Sequence, residues 1–266
     1  MKKGLLAIGA LFAICLSMLA TDMVVKQKNG EDWKINVDDV EEVFFEENAI
    51  IPDDSTVVDA SETFLLFNIL SDSTAEVTRD DSGNDCSYLG HDSITIPERV
   101  RIDGKIYTVT SIGAVAFNHC YSLTSINIPK GVTCIEKNTF MYCISLTNIN
   151  MPEVVTSIEE YAFYYCSNLT SINIPEGVTK IGDSAFEGCS SLTSLDIPKG
   201  VTSIGYSAFR ECKSLKSITI PESVTSIGSY AFRQCYSLDV VIDNSEGNIE
   251  IGKDAFRNCN SVTYLK

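Results

Sequence analysis

Residues 169–191, with the sequence LTSINIPEGVTKIGDSAFEGCSS, are one copy of a unit that fills the second half of the 266-residue chain. A phenylalanine marks each copy, and a cysteine stands three positions after every one of these phenylalanines. A fixed period of this length is typical of a solenoid, in which each unit buries its apolar side against its neighbours. The phenylalanines recur every 23 residues, and the last after 24: Phe117, Phe140, Phe163, Phe186, Phe209, Phe232 and Phe256.

The pattern within one copy predicts a strand, a turn and a short helical segment. Ile172 and Ile174 alternate with polar residues, as in a strand with one buried face. Pro175 ends that strand, because proline has no N–H for the ladder. Apolar residues between positions 181 and 192 then recur at helical spacing. Stacked copies would therefore form a concave parallel sheet, with helical turns on the convex side.

The repeat resembles that of a known family. Its pattern, Leu-x-x-Ile-x-Ile-Pro-x-x-Val-x-x-Ile-Gly-x-x-Ala-Phe-x-x-Cys, is similar to the 23-residue leucine-rich repeat of the BspA type, from Ser111 to Leu265. The resemblance implies an α/β fold, a right-handed leucine-rich-repeat solenoid preceded by a β-rich N-terminal cap. It also implies a secreted or surface protein of gut or oral anaerobic bacteria, with adhesion to matrix proteins or cells for some members. The family fixes no ligand for a given member.

The start of the chain predicts export. Lys2 and Lys3 precede an apolar run, and small residues follow up to Ala20, as in a secretory signal peptide. We therefore expect a mature protein outside the cell or on its surface, with the periplasm as the alternative compartment. A membrane anchor and a lipid on Cys15 remain alternatives, although the run is short for a bilayer span and Ile14 fits a lipid-attachment motif poorly.

Five segments follow from these patterns. An Asn-Gly pair between two strand-like runs is the strongest short hairpin signal, and one occurs at Asn29-Gly30. A proline and several acids before residue 63 indicate a linker. The predicted segments are a signal peptide (1–20), a leader β-hairpin (21–48), a linker (49–62), a β-rich cap (63–110) and about seven repeats (111–266).

The charge distribution argues against two classes of partner. Residues 21–100 carry 20 acidic and five basic side chains, and the net charge of the whole chain is −16. A nucleic-acid-binding protein would show a basic stripe, and an anionic membrane surface would repel the acidic front. We therefore expect neither nucleic acid nor an anionic membrane surface as a partner. We expect no membrane span in the mature protein, because the chain has no other long apolar segment after residue 20. The acidic run at 80–85 lacks the spacing of a calcium loop, so a turn is expected there.

No constellation of residues predicts catalysis, a cofactor or a metal. His91 has no partner nearby in sequence, and His119 stands at a variable position that we expect on an exposed helical turn. Metal sites use cysteines two to four positions apart, whereas the repeat cysteines are 23 apart. We expect these cysteines to form a buried ladder of free thiols. Cys86 and Cys134 are also expected to be free, with a bridge between them as the alternative.

Two departures from the pattern concern the backbone. Gly182 is replaced by Glu159 and Glu136 in earlier copies, so a positive φ is not expected at this position. The turn residue Gly177 is Val154 one copy earlier, which predicts a different turn at that place.

The concave face is the predicted binding surface. Its polar rows could hydrogen-bond an extended protein or a glycan, although small polar residues also serve solubility alone. The rows contain Ser125, Asn148, Ser171, Ser194 and Ser217, and then Asn127, Asn150, Asn173, Asp196 and Thr219.

The sequence thus predicts an exported, adhesin-like binding protein that is not an enzyme and needs no cofactor. The alternative is an assembly module that self-associates through an uncapped sheet edge near Leu265.

Triplets that begin at Asp54, Asp72, Asp92 and Asp183 resemble the O-glycosylation motif of exported proteins of such bacteria.

Overall fold

The computed structural model describes residues 57–79, 86–243 and 248–265, together with the backbone of four strands before residue 46. The chain divides into a short unit, Met1–Ser55, and a long unit, Thr56–Lys266. No α-helix occurs in these described ranges. The expected helical turns are therefore replaced by another structure in the long unit.

The short unit contains four strands: β1 (Gly4–Ile8), β2 (Asp22–Lys26), β3 (Asp32–Asn36) and β4 (Val40–Phe45). Strands β2 and β3 pair antiparallel with Met23 opposite Ile35, which confirms the predicted leader hairpin. Its turn at Asn29-Gly30 lies outside the described residues. Strand β1 pairs parallel with β4 and lies within the predicted signal peptide, whose removal stays a prediction.

The long unit begins with a five-stranded cap sheet in the order β5-β9-β10-β7-β6. Strand β5 pairs with β9 and places Val58 opposite the buried Val100, so this part of the predicted linker belongs to the cap sheet. A 3₁₀ turn at Ala60–Glu62 follows, capped by the side chain of Asp59. The strands are β5 (Val57–Asp59), β6 (Leu66–Ile69), β7 (Thr74–Thr78), β9 (Arg99–Ile102) and β10 (Lys105–Ile112), while β8 (Ser93–Thr95) joins a different sheet.

The repeats stack as successive coils, which we number 1 to 7 by their phenylalanines from Phe117 to Phe256. One strand of most coils forms what we call the first ladder, the sheet predicted as concave. It is not continuous: two three-stranded parallel sheets flank an isolated bridge between Ser171 and Ser194. The strands are β8, β11 (Ser125–Asn127), β13 (Asn148–Asn150), β17 (Ser217–Ile220), β19 (Asp239–Asp243) and β21 (Ser261–Leu265).

Strand β8 shows that the repeats begin before the predicted boundary at residue 111. Ile94 of β8 pairs with Ile126 of β11, just as Ile126 pairs with Ile149. The hairpin of β9 and β10 is therefore an insertion within the first repeat. It hides the repeat in the sequence, because it separates Ser93 from Ser125 by 32 residues instead of 23.

A second ladder, which the sequence did not predict, is a continuous parallel sheet of six two-residue strands. Ile181, expected to start a helical segment, pairs instead with Ile158 and Ile204. The coils approach closely beside this ladder, since a Cβ on Gly182 would lie 2.6 Å from the carbonyl carbon of Glu159. The strands are β12 (Cys134–Ile135), β14 (Ser157–Ile158), β15 (Lys180–Ile181), β16 (Ser203–Ile204), β18 (Ser226–Ile227) and β20 (Glu250–Ile251).

The segment predicted to be helical is a ladder of turns, which we call the turn face. Positive φ recurs two residues before and two residues after each phenylalanine, as at Tyr161 and Tyr165 around Phe163, and this breaks any helix. Alternate N–H groups bond to the next coil: that of Phe163 donates to the carbonyl of Ala185 at 2.8 Å. Apolar spacings of three and four residues therefore do not distinguish this ladder from a helix.

Phenylalanines and thiols form the core of the stack. The seven phenylalanine rings stack at centroid distances of 5.1–5.6 Å, nearly parallel to one another. From coil 2 onward each repeat cysteine donates a hydrogen bond to the carbonyl of the phenylalanine in the preceding coil, as Cys189 does to Phe163 at 3.2 Å. The predicted thiol ladder is thus confirmed from Cys143 to Cys235, which are all buried, and Cys259 is half-buried.

The disulfide prediction was wrong at the first cysteine of the ladder. Cys120 is bonded to Cys86, so it is not a free thiol. The alternative bridge, between Cys86 and Cys134, does not form either, because Cys134 is a free, half-buried thiol. Strand β8 brings the segment before it onto coil 1, which places Cys86 beside Cys120.

The prediction of a different turn at Val154 was also wrong. The N–H of Val155 donates to the carbonyl of Pro152 at 3.1 Å, and Val178 donates to Pro175 at 3.0 Å in the next coil. Neither Val154 nor Gly177 has a positive φ, so valine adopts the same turn without strain. The turn therefore does not depend on which side chain stands at this position.

Candidate functional site

The structure places the ten predicted site residues on the outward side of the first ladder. Nine are exposed, and Ser125, whose hydroxyl donates to that of Ser93 at 2.9 Å, is half-buried. The rows are in register: Asn127 lies beside Asn150, and Ser171 beside Ser194. The nine exposed residues are Asn127, Asn148, Asn150, Ser171, Asn173, Ser194, Asp196, Ser217 and Thr219.

Five of the ten line a depression that we call the asparagine groove. It consists of two adjoining hollows that share Asn150, with volumes of 530 Å³ and 450 Å³. Asn127 lines the first hollow, and Asn148, Ser171 and Asn173 line the second. The remaining predicted residues, Ser125, Ser194, Asp196, Ser217 and Thr219, lie outside both hollows.

The polar wall of the groove consists of side-chain amides. The Nδ2 of Asn150 donates to the Oδ1 of Asn127 at 3.5 Å, which orients both amides across two coils. Each amide carries a donor and an acceptor, the same pair of groups that a peptide backbone presents. A row of such amides can therefore hydrogen-bond an extended main chain.

The first hollow ends in an apolar patch that sequence reasoning did not assign to the site. Its floor contains Ile128 and Met151, which are 4% and 5% exposed, and Val154 stands beside them with 48% of its surface exposed. The positions equivalent to Val154 in the neighbouring coils are Gly131 and Gly177. The departure from glycine at Val154 was the signal, and it was misinterpreted as a change of turn.

Charged side chains of both signs form the rim of the first hollow. The Nζ of Lys130 lies 3.9 Å from a carboxylate oxygen of Glu98, and both side chains are largely exposed. Glu153 lies on the same rim. An exposed pair of this kind contributes little stability. The three rim side chains, one cation and two carboxylates, therefore carry a small net negative charge.

The prediction for His119 was wrong. The residue has a φ of +58° and is half-buried, with its ring stacked on that of Tyr142 at 4.9 Å. Tyr142 in turn contacts Tyr164 and Tyr165. His119 thus belongs to an aromatic cluster on the turn face, and its variability among copies did not indicate exposure.

Burial keeps the free thiols uncharged, as expected for side chains that serve only in packing. Burial raises the pKa of Cys166 well above its ordinary value and raises that of the half-buried Cys134 to about 11. Thiols in this state are protonated at neutral pH and react slowly. Within the described ranges, no group of three or more His, Cys, Asp or Glu side chains could hold a metal ion.

The proposed glycosylation triplets differ in accessibility. Ser184 is 3% exposed, and its hydroxyl donates to the carboxylate of the buried Glu187 at 2.8 Å, so the triplet at Asp183 is unsuitable. Ser73 and Ser93 are exposed. The triplet at Asp54 and the acidic run at 80–85 lie outside the described residues.

The repeat region matches the sequence profile of the BspA type leucine rich repeat region in six copies, over residues 92–212 and 179–266. These spans cover more than half of the chain. The chain belongs to this family. The match begins at residue 92, in agreement with the pairing of β8, so the first BspA-type repeat contains the inserted hairpin.

Among the described residues, no helical segment has the length and apolarity that a bilayer span requires.

Two solved structures support the leucine-rich-repeat fold. A leucine-rich repeat protein of T. pallidum is similar with a TM-score of 0.64 and 28% identity, over 73% of this chain and 86% of its own. A leucine-rich repeat protein of Bacteroides ovatus is similar with a TM-score of 0.57 and 28% identity, over 74% of this chain and 56% of its own. This BspA-type chain therefore spans little more than half of the Bacteroides ovatus protein. No curated protein matches the chain significantly.

Proposed function

We propose that the protein is an exported, non-catalytic, adhesin-like binding protein that holds an extended segment of an extracellular protein in the asparagine groove. The predicted signal peptide supports export to the cell surface or the medium. Membership of the BspA type leucine-rich-repeat family supports a role in interaction.

The observation that carries the proposal is the position of Val154. The equivalent turns use Gly131 and Gly177, so the turn itself does not require an apolar side chain at this position. Its surface is 48% exposed and adjoins Met151 and the amide of Asn150. Apolar contact and backbone-like hydrogen bonding thus lie side by side, which is what an extended peptide requires.

A protein partner fits this groove better than a glycan does. The lining residues of both hollows contain no aromatic ring on which a sugar could stack. They contain amides and aliphatic groups instead. A glycan that needs a stacking ring would therefore fit this groove poorly.

The proposal is tested by the substitution Val154→Gly, with extracellular matrix proteins and displayed random peptides as probes. Glycine is compatible with this turn, because equivalent turns contain it. Fully burying a valine side chain contributes roughly 1.5–3 kcal/mol, and Val154 has only 48% of its surface left to cover, so we expect an affinity loss of several-fold. The substitution should lower the free energy of unfolding by only about 0.4–1 kcal/mol, because glycine is more flexible in the unfolded chain. The proposal fails if no probe binds the wild-type protein, or if every bound probe is indifferent to the substitution.

A second candidate is self-association through β21. Every residue of this strand is exposed, and Tyr264 and Leu265 are 52% and 48% exposed. An unpaired strand edge can pair with another chain. Sedimentation velocity over a wide concentration range tests this candidate: a dimer that Thr263→Pro abolishes would support it, and a monomer throughout would exclude it.

A further inference from the structure

Arginines from three consecutive coils are aligned on the turn face, far along the stack from the asparagine groove. Arg210, Arg233 and Arg257 each follow the buried or half-buried phenylalanine of coils 5, 6 and 7. Backbone hydrogen bonds hold the coils in register here: Glu211 donates to the carbonyl of Arg233, and Gln234 donates to that of Arg257, both at 2.9 Å. We call these three side chains the arginine column.

The outer members of the column have carboxylate partners. Arg210 lies 3.0 Å from the carboxylate of Glu187 and 3.3 Å from that of Glu211. Arg257 lies 3.5 Å from Asp254. Their charges are therefore largely balanced within the protein.

Arg233, in the middle, has no such partner in the described part of the chain. Its guanidinium lies over the ring of Tyr230, 5.2 Å from the ring centroid, and its Nε is buried without a hydrogen-bond partner. A buried donor that is not satisfied destabilises the protein. The Nε of Arg210 is buried without a partner as well, so what sets Arg233 apart is the missing carboxylate. An oxyanion bound at the terminal N–H groups of Arg233 would supply the charge partner that Arg210 and Arg257 have within the protein.

An exposed tyrosine ring contacts Tyr230, the half-buried ring that lies under the guanidinium of Arg233. The ring of Tyr230 meets that of Tyr206 edge to face at 5.5 Å, and Tyr206 is 50% exposed. A fork of N–H donors beside open aromatic faces suits a ligand with an anionic group and an apolar ring face.

We propose that the arginine column is a binding site for an acidic glycan, with a sulfate ester or a uronate carboxylate at Arg233 and a sugar ring on Tyr206. The planar guanidinium presents parallel N–H donors that match the oxygens of such oxyanions. An acidic peptide would supply the anion without a sugar ring, and it is the competing ligand in the test. This site is independent of the asparagine groove.

Binding of a heparin oligosaccharide, of hyaluronan and of polyglutamate by the full mature chain provides the test. We expect heparin or hyaluronan to bind more tightly than polyglutamate, and the preference between them to show whether sulfate or carboxylate is recognised. Arg233→Ala should weaken glycan binding about tenfold or more, since a charged hydrogen-bonding partner is lost. Lys216→Ala, which removes an exposed cation from the strand side, is the matched control and should change binding less than about twofold.

A second variant separates the ring from the charge. Tyr206→Ala leaves every cation in place, and we expect it to weaken glycan binding several-fold without affecting polyglutamate. The inference is overturned if neither glycan binds, if polyglutamate binds as tightly as the glycans, or if Lys216→Ala weakens binding as much as Arg233→Ala does. Thermal unfolding of each variant shows whether it is folded. If Arg233→Ala does not fold, the effect of Tyr206→Ala on glycan binding tests the proposal instead.

Discussion

The ring of Tyr165 lies against Gly188 of the next coil, so closely that a Cβ on Gly188 would be 2.8 Å from the ring carbons Cγ and Cδ2. Gly188 has a φ of +77°, but non-glycine residues adopt positive φ at the same place in the other coils, as Tyr142 and Glu211 do. The ring, and not the backbone conformation, therefore requires glycine at this coil.

Gly188→Ala should lower the free energy of unfolding by about 2–3 kcal/mol, from the clash together with the residual strain of positive φ. In a Tyr165→Ala background the same substitution should cost only about 1 kcal/mol, because the clash is absent. Urea unfolding of the four proteins in this double-mutant cycle measures the difference. Equal costs in both backgrounds would show that the ring is irrelevant.

Reducing the disulfide between Cys86 and Cys120 should destabilise the long unit. The bridge closes a loop with a sequence separation of 34, for which the loss of chain entropy in the unfolded state corresponds to about 3–4 kcal/mol. Urea unfolding with and without reductant measures this effect, and Cys134→Ala is the control because Cys134 is a free thiol. A reductant effect that persists in Cys86→Ala would contradict the assignment.

The ladder thiols should resist alkylation in the folded protein. Burial raises the pKa of Cys143, Cys189 and Cys212, and it raises that of Cys259 to about 12. Because the thiolate is the reactive form, native labelling with iodoacetamide at neutral pH should be at least about a hundredfold slower than labelling in denaturant. Peptide mapping by mass spectrometry locates the label. Rapid native labelling within the ladder would show that these thiols are accessible.

Acid should weaken the attachment of β21 to the stack. The carboxylate of Asp239 accepts hydrogen bonds from Ser261 at 2.5 Å and Asn260 at 2.7 Å, and these hold the pKa of Asp239 below its ordinary value. A lowered pKa stabilises the folded state at pH values above the ordinary pKa of the group. This stabilisation is lost as the pH falls through the lowered pKa of the folded protein.

Hydrogen exchange of the β21 amides, measured in the wild-type protein and in Asp239→Asn, checks this expectation. The wild-type advantage in protection should be present near neutral pH and should disappear in acid. An advantage that is independent of pH would mean that the carboxylate charge does not matter.

Much of the repeat architecture followed from the sequence, because the period of 23 residues determines which side chains are equivalent. The buried thiols, the register of Asn127 with Asn150 and the exposure of nine of the ten row residues could be predicted in this way. The turn face could not, because its apolar spacing equals that of a helix. The positive φ at residues such as Tyr161 and Tyr165 has no single residue type to signal it.

The candidate site was predicted only in part. The repeat pattern identified the polar rows but did not distinguish one coil from another. The groove involves only coils near the start of the stack. Two features distinguish those coils. Val154 stands where neighbouring coils have glycine, and β8 pairs with β11. The bridge between Cys86 and Cys120 could not be predicted, because it depends on the same hidden first repeat.

The claim that a partner binds in the asparagine groove is tested most directly by a pair of charge-matched triple variants. One replaces Asn127, Asn150 and Asn173 with arginine. The other replaces the exposed threonines of the same coils on the second-ladder side, Thr133, Thr156 and Thr179, with arginine.

The measurement is the affinity of both variants for a matrix protein or peptide that binds the wild-type protein. We expect the asparagine variant to lose more than about tenfold in affinity, because three bulky cations fill the groove, and the threonine variant to bind as the wild type does. Equal affinities of the two variants would contradict the assignment of binding to this groove.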